Sequence, residues 1–124
     1  TGVQTCALPI WIYIDPLVFS VGTKPEAFTN FAAVAKYVKE KAPSIHITSG
    51  LSNISFGLPS RKTINQAFLI LAMNAGMDSA IMDPTSRDML GAMYATEALL
   101  ELDEFCLEYI DAYTSDLFGV QKKK

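Results

Sequence analysis

Two polar side chains stand just after β-prone segments, where an α/β enzyme commonly places the groups that do its chemistry. Asn53 lies in the loop Gly50–Gly57, which follows the β-prone run Ile45–Thr48. Asp15 directly follows the apolar run Trp11–Ile14. In an α/β barrel, the loops after the strands lie on the face that carries function. These two residues are therefore the first candidates for a site, with Asn53 foremost.

Each candidate also has a structural explanation. An Asn in a turn after a strand is more often an Asx-turn or helix-cap residue than a catalyst. Asp15 precedes a proline and could simply end its strand. The sequence alone favours neither this structural interpretation nor the functional one. Arg61 could be a solvated residue before a helix. Asp83, which also precedes a proline, is interpreted as structural.

Residues 1–10 need separate treatment. The string TGVQTCALPI is the translation of a common sequencing-library adapter, ACT GGA GTT CAG ACG TGT GCT CTT CCG ATC. We therefore predict that residues 1–10 are an adapter scar and that the natural sequence begins near Trp11, with its true N-terminus missing. Cys6 falls in the scar, so Cys106 is the single natural thiol. A lone cysteine favours a reducing, cytoplasmic setting over a disulfide framework or a zinc site.

Composition narrows the class of protein. Of the 124 residues, 50% are hydrophobic and 19% are charged, which is typical of a chain with a buried core. A net charge of −3 supplies no basic field for nucleic acid, and no apolar run is long enough to span a membrane. The single histidine, His46, lies between two isoleucines and is interpreted as a satisfied wall residue, so no metal site is predicted. Residues 119–124 are predicted to be a basic tail.

The periodicity predicts the order β-α-β-α-β-α-α, which favours parallel strands with right-handed crossovers. Gly76 is expected to end the second helix, while Thr63 and Thr85 are expected to cap the second and third. The last helix is predicted over Glu104–Leu117, with Cys106 packed within it. Three strands cannot close a barrel or protect their own edges, so the chain is expected to be a piece of something larger.

Four motifs, in this order and with these gaps, resemble a known family. They are Ile12-Tyr13-Ile14-Asp15-Pro16-Leu17, Gly50-Leu51-Ser52-Asn53-Ile54-Ser55, Arg61 with Ile64-Asn65 and Phe68-Leu69, and Ala75-Gly76-Met77-Asp78-Ser79-Ala80-Ile81. Together they resemble the methyltetrahydrofolate:corrinoid/iron–sulfur protein methyltransferases. That family belongs to the pterin-binding superfamily, with dihydropteroate synthase and the folate domain of cobalamin-dependent methionine synthase. The resemblance covers residues 11–118.

The resemblance implies a TIM (β/α)8 barrel, of which residues 11–118 supply the C-terminal three βα units and the terminal helix. The implied reaction moves the N5-methyl group of methyltetrahydrofolate to the Co(I) of a corrinoid (cobalamin) carried by a corrinoid/iron–sulfur or other corrinoid protein. No metal is bound directly by the barrel. Asn53 matches the residue that hydrogen-bonds N5, whereas Asp15, Ser52 and Arg61 match residues of the pterin pocket. Relatives are homodimers, so a homodimer is expected for the full-length protein.

Alternatives within the superfamily are the folate domain of methionine synthase, a dihydropteroate synthase-like enzyme and a pterin-binding protein without turnover. Two features favour the stand-alone methyltransferase over methionine synthase. They are the short loop after Asn53 and the Asp83-Pro84 pair that follows the last predicted strand. The Lys and the Arg-His pair expected of dihydropteroate synthase are not evident. The 124-residue chain by itself is expected to be inactive, because its strand edges and apolar faces would be uncovered.

Overall fold

A computed structural model describes residues 12–121. The elements, in chain order, are β1 (Tyr13–Ile14), α1 (Ala27–Lys41), β2 (His46–Gly50), a 3₁₀ helix (Asn53–Ser55), α2 (Arg61–Ala75), β3 (Ser79–Ile81), α3 (Arg87–Leu99), a second 3₁₀ helix (Glu104–Cys106) and α4 (Leu107–Thr114). This confirms the predicted alternation of strands and helices. The predictions for residues 1–10 and for Lys122–Lys124 lie outside the described residues.

The chain divides into two compact units, Thr1–Met82 and Asp83–Lys124. The first unit contains a three-stranded sheet in the order β1-β2-β3, with both strand pairs parallel, as predicted. Tyr13 pairs with His46 at one end of the sheet, and Gly50 pairs with Ile81 at the other. Because the strands are parallel, the loops that follow them all leave from the same edge of the sheet. Asp15 and Asn53 are both on those loops.

Aromatic side chains join α1 to α2 in the first unit. The Phe31 ring meets the Phe68 ring edge-on, with 5.3 Å between centroids, and Phe28 lies 5.9 Å from the same ring. Phe31 is almost fully buried, as is Ile47 of β2. Such edge-to-face pairs add to the free energy gained by burying the rings. The helices therefore form a fixed layer that carries the connecting loops.

In the second unit, α3 and α4 pack around Phe118, whose ring contacts the rings of Tyr94 and Tyr109 at 6.0 and 4.9 Å between centroids. Arg87 opens α3 and fastens the segment that follows α4. Its guanidinium donates hydrogen bonds to the backbone carbonyls of Asp116, Phe118 and Gly119 and to a carboxylate oxygen of Asp116. This clamp fixes the C-terminal turn of the unit.

The helix ends correct two predictions and confirm one. Gly76 ends α2 with φ of 122°, and a Cβ there would lie 2.9 Å from Cγ of Lys39, so glycine is required. Thr63 was wrong as a cap, because α2 already begins at Arg61 after a left-handed Ser60. Thr85 was also wrong, since Ser86 precedes α3 at its N-cap.

The last predicted helix is shorter than expected. The segment Glu104–Cys106 is a 3₁₀ turn and only Leu107–Thr114 is α-helical, because Phe105 and Cys106 both have positive φ. Asp103 begins this segment and accepts the backbone N–H groups of Glu108 and Tyr109 on its two carboxylate oxygens, each at 2.9 Å. Cys106 is exposed, so its assignment as a packing residue was wrong. Among the described residues, no helix has both the length and the apolar character needed to cross a membrane.

Candidate functional site

A pocket of about 270 Å³ lies where the strands of the first unit end. Its lining residues are Asp15, Leu17, Val18, Ser49, Gly50, Asn53 and Ile81. The structure thus brings together Asp15 and Asn53, which come from different loops. Ser52 and Arg61, the other two predicted site residues, are on the Asn53 side but are not part of this lining.

Asp15 is held by its own turn. Its Oδ1 accepts the backbone N–H of Leu17 at 3.0 Å, which is the Asx turn expected when a proline follows the aspartate. The side chain is exposed, and Oδ2 receives no hydrogen bond from residues 12–121. A carboxylate has about four acceptor positions, so most of this capacity remains open toward the pocket.

Asn53 is held across the two loops. Its Nδ2 donates a hydrogen bond to the carbonyl of Val18 at 2.5 Å. A carbonyl can only accept, so this contact fixes which end of the amide is the nitrogen. The Oδ1 atom is left as an acceptor with no hydrogen bond from the described part of the chain. Asn53 therefore presents an uncharged oxygen of fixed orientation at the pocket.

Two further hydrogen bonds join the same two loops. The Val21 N–H donates to the carbonyl of Ile54 at 2.9 Å, and the buried hydroxyl of Ser20 donates to the carbonyl of Phe56 at 2.6 Å. Together with the Asn53–Val18 bond, these two bonds form the loop clasp. Sequence reasoning missed Ser20, because its partner lies 36 residues away and no local pattern reports such a contact.

Arg61 braces the Asn53 loop from the start of α2. Its Nη2 donates to the carbonyl of Ser52 at 2.6 Å, and its Nε donates to the buried hydroxyl of Ser55 at 3.1 Å. The same hydroxyl lies 2.7 Å from Oδ1 of Asn65, and the guanidinium stands 5.8 Å from the Phe56 ring centroid. Arg61 is thus a partnered residue of the loop, whereas the solvated interpretation would leave it without contacts.

A second polar cluster lies at the opposite end of the sheet, where β3 begins. Oδ2 of Asp78 lies 2.8 Å from Nζ of Lys39 and 2.9 Å from Nδ1 of His46, and Oδ1 accepts the Ile47 N–H at 2.9 Å. The His46 ring also stacks on Tyr13, with 4.7 Å between centroids, so the histidine is partnered as predicted. Burial raises the pKa of Asp78, but the hydrogen bonds from Lys39, His46 and Ile47 outweigh it and hold the pKa below the ordinary value.

Asp83 repeats the turn seen at Asp15. Its Oδ1 accepts the hydroxyl and the N–H of Thr85, at 2.7 and 2.9 Å, and these two bonds lower the pKa of the Asp83 carboxyl. The contacts agree with the interpretation of Asp83 as structural. No group of three or more His, Cys, Asp or Glu side chains within residues 12–121 is arranged to hold a metal ion.

Two kinds of enzyme are similar to this chain in sequence. The chain is 53% identical over 116 residues, or 94% of its length, to the methylcorrinoid:tetrahydrofolate methyltransferase of Eubacterium limosum. This confirms the resemblance to the corrinoid methyltransferases. The methionine synthases of Mycobacterium tuberculosis and Mycobacterium leprae are 38% and 40% identical over 78 residues, which are 57% of this chain and 6% of each synthase. No protein-family model matches the chain.

Coverage of these relatives is partial. The chain spans 43% of the length of the Eubacterium methyltransferase. The alignment with this relative therefore covers less than half of its length.

Proposed function

We propose that the complete protein containing this chain transfers a methyl group between N5 of tetrahydrofolate and the cobalt of a corrinoid, and that the pocket at the strand ends binds the pterin ring. The observation that carries the proposal is the fixed amide of Asn53. Its nitrogen is held by Val18, so its oxygen is the atom offered to a ligand. The sequence identity with the Eubacterium enzyme supports the same pair of substrates.

Asn53 meets a specific chemical need. When the methyl group moves from N5 to cobalt, the pterin nitrogen is the leaving group. An amine is a poor leaving group unless a proton or positive charge at N5 is stabilised. The Oδ1 of Asn53 accepts the hydrogen bond from protonated N5. A neutral acceptor stabilises this state without bringing a second charge into the pocket.

The direction of transfer does not change these roles. The predicted reaction starts from methyltetrahydrofolate, whereas the name of the Eubacterium enzyme puts the methylcorrinoid first. Forward and reverse reactions pass through one transition state, so the group that stabilises N5 serves both. The equilibrium constant of the transfer and the concentrations of substrates and products set the net direction.

Asp15 is proposed to bind the opposite edge of the pterin. Its free Oδ2 and the second lone pair of Oδ1 accept the ring N–H and the exocyclic amine, which is a paired, charge-assisted contact. The Asx turn holds the carboxylate in place before the substrate arrives. Asp15 thus orients the ring, and Asn53 acts at N5.

Ser52 and Arg61 complete the proposed pocket from the loop side. The Ser52 side chain is exposed next to Asn53 and contributes a hydroxyl at the pterin rim. Arg61 uses Nε and Nη2 within the loop, leaving Nη1 for the pterin. Its larger contribution is to hold the backbone of Ser52 in place.

The wider assembly follows from the same proposal. The three parallel βα units are the C-terminal part of a TIM barrel, and the remaining strands close it and cover the outer edges of β1 and β3. The full-length protein is a cytoplasmic homodimer that meets a corrinoid protein at the pocket mouth. The corrinoid is a substrate carried by that partner, so the barrel needs no metal ligands of its own.

The test is a methyl-transfer assay with the complete protein. Methyltetrahydrofolate and free Co(I) cobalamin are mixed with enzyme, and methylcobalamin is followed by its absorbance; the reverse reaction uses methylcobalamin and tetrahydrofolate. We expect transfer in at least one direction, with no transfer when the pterin is omitted. Tight pterin binding without transfer in either direction would contradict the proposal and favour the non-catalytic pterin-binding alternative.

A further inference from the structure

The loop clasp joins the two loops that carry Asp15 and Asn53, the residues on which the proposed function depends. Asp15 is on the loop after β1, and Asn53 is on the loop after β2. Parallel pairing of β1 with β2 ends at Ile14 and Ile47, so the sheet itself does not fix the distance between these loops. The three bonds of the clasp join the loops beyond that point.

Ser20 is the side chain at the centre of the clasp. Its buried hydroxyl donates to the carbonyl of Phe56 at 2.6 Å and accepts the N–H of Gly22 at 3.2 Å. Its backbone carbonyl accepts the N–H groups of Thr23 and Lys24, which closes the turn before α1. Both ends of the hydroxyl are therefore engaged, one in each loop.

We propose that Ser20 is a positioning residue that acts through Asn53, by setting where the Val18 carbonyl meets the Asn53 amide. The proposal rests on the proposed function for its catalytic consequence. Without the Ser20 hydroxyl, the Phe56 carbonyl loses its side-chain donor, and the loss of one of the three bonds lets the two loops shift relative to each other. The amide of Asn53 then loses its fixed partner at Val18, and its oxygen is no longer aligned with N5.

Tight steric contact between the loops supports this role. A Cβ at Gly22 would lie 3.0 Å from Cδ2 of Leu58, so the β1 loop rests directly on the segment that follows the 3₁₀ helix. Because the two loops are packed this closely, a small displacement of one loop also moves the other. Misplacing a reacting group by about 1 Å can cost on the order of a hundredfold in rate.

The first measurement needs no turnover. In the complete protein with 15N-labelled asparagine, the side-chain amide signal of Asn53 is assigned by its loss in Asn53→Ala. We expect Ser20→Ala to move this signal toward that of a free asparagine side chain and to speed its hydrogen exchange. An unchanged signal would overturn the proposal, whether or not the protein proves to be a methyltransferase.

The second measurement is a double-mutant cycle on single-turnover methyl transfer. We expect Ser20→Ala to lower the rate by about tenfold in the wild-type background and to have little further effect in the Asn53→Ala background, since coupled residues are not additive. Pterin affinity should change less than about threefold, because Asp15 is left in place. Equal losses in both backgrounds would show that Ser20 does not act through Asn53 and would overturn the proposal.

Thr96→Val is the matched control. Thr96 is also buried, and its hydroxyl also donates to a backbone carbonyl at 2.6 Å, but that partner is Ala92 of its own helix. It should leave the Asn53 signal and the methyl-transfer rate unchanged. A wild-type protein without any methyl transfer would count against the proposed function, and the amide signal would still decide the role of Ser20.

Discussion

The two ends of the sheet in the first unit both carry a partly exposed aspartate near other polar groups, yet they differ in how their hydrogen bonds are used. At the end where β3 begins, Asp78 is bound by Lys39, His46 and the Ile47 N–H, so both oxygens have partners. At the loop end, Asp15 uses one oxygen in its own turn, and Asn53 uses only its nitrogen.

Whether its acceptor atoms already have partners distinguishes a stabilising aspartate from a ligand-binding one better than its residue type or its exposure does. Hydrogen-bonding groups that find partners within the protein hold its elements together. Acceptors that are left open at a pocket are available to a ligand. The open acceptors also lie beyond the carboxyl ends of the parallel strands, where α/β sheets commonly bind their ligands.

Replacing Asn53 by Ala in the complete protein should slow methyl transfer by about a hundredfold or more, because no acceptor then stabilises protonated N5. The folded state should be little affected, since only the bond to Val18 is lost. Asn74→Ala removes an exposed amide from α2 and serves as the control, with an unchanged rate. Full activity in Asn53→Ala would refute its assigned role.

Replacing Asp78 by Ala should lower the stability of the protein and leave the methyl-transfer rate almost unchanged, which is the reverse of the result expected for Asn53→Ala. The free energy of unfolding should fall by about 1–3 kcal/mol, because Lys39, His46 and the Ile47 N–H lose their common acceptor. The rate per folded molecule should stay within about twofold of wild type, since Asp78 lies at the other end of the sheet. A stable but inactive variant would reverse the roles of the two ends.

The Asp78 effect should depend on pH with a definite sign. The folded-state pKa lies below the ordinary value, so ionised Asp78 stabilises the folded protein. This contribution is present in full above the ordinary aspartate pKa and is lost as the pH falls through the lower pKa of the folded state. Unfolding curves of wild type and Asp78→Ala should therefore converge in acid. A gap that persists at low pH would mean that packing, not charge, explains the loss.

Replacing Arg61 by Gln should have an intermediate effect. It removes the brace on Ser52 and Ser55, so the methyl-transfer rate should fall by about tenfold through a looser Asn53 loop. Lys62→Gln removes a neighbouring positive charge but leaves both Arg61 bonds intact, and it should be nearly neutral. If the two variants behave alike, net charge rather than the brace determines the effect.

The smallest effect is expected at Glu97 of the second unit. Burial, together with the charges of Glu108 and Asp103, raises the pKa of Glu97, so its ionised form is unfavourable in the folded state. Glu97→Gln should stabilise the protein at pH 7 by about half a kcal/mol or less, since the site is partly exposed. The gain should vanish as the pH falls and wild-type Glu97 becomes protonated. A loss of stability at pH 7 would contradict this explanation.

The sequence predicted the features that local patterns encode. Hydrophobic periodicity yielded the order of strands and helices, and Gly76 marked a helix end because only glycine tolerates its backbone angle and its contact with Lys39. Asp15 and Asn53 were predicted as site residues because both follow β-prone segments, and the structure places both in the lining of one pocket. The caps at Thr63 and Thr85 failed, since a left-handed Ser60 and the Asp83 turn redirect the chain before each helix.

Contacts between residues far apart in the chain could not be predicted from the sequence. The bond from Ser20 to Phe56 joins residues 36 apart, and the bond from Asn53 to Val18 joins residues 35 apart. Neither pair has a local signature, because a serine or an asparagine in a loop has many possible partners. The same holds for Arg61, whose two partners in the loop appear only once the chain is folded.

The most direct test of the contrast is to measure methyltetrahydrofolate binding by calorimetry to the complete protein and to its Asp15→Asn and Asp78→Asn variants. Both substitutions remove one negative charge from an aspartate that directly flanks a strand of the same sheet. We predict that Asp15→Asn weakens binding by about 10- to 100-fold, as expected for a lost charge-assisted contact, while Asp78→Asn binds like wild type. Weakened binding in Asp78→Asn alone would contradict the account, because the pterin would then depend on the end of the sheet assigned to stability.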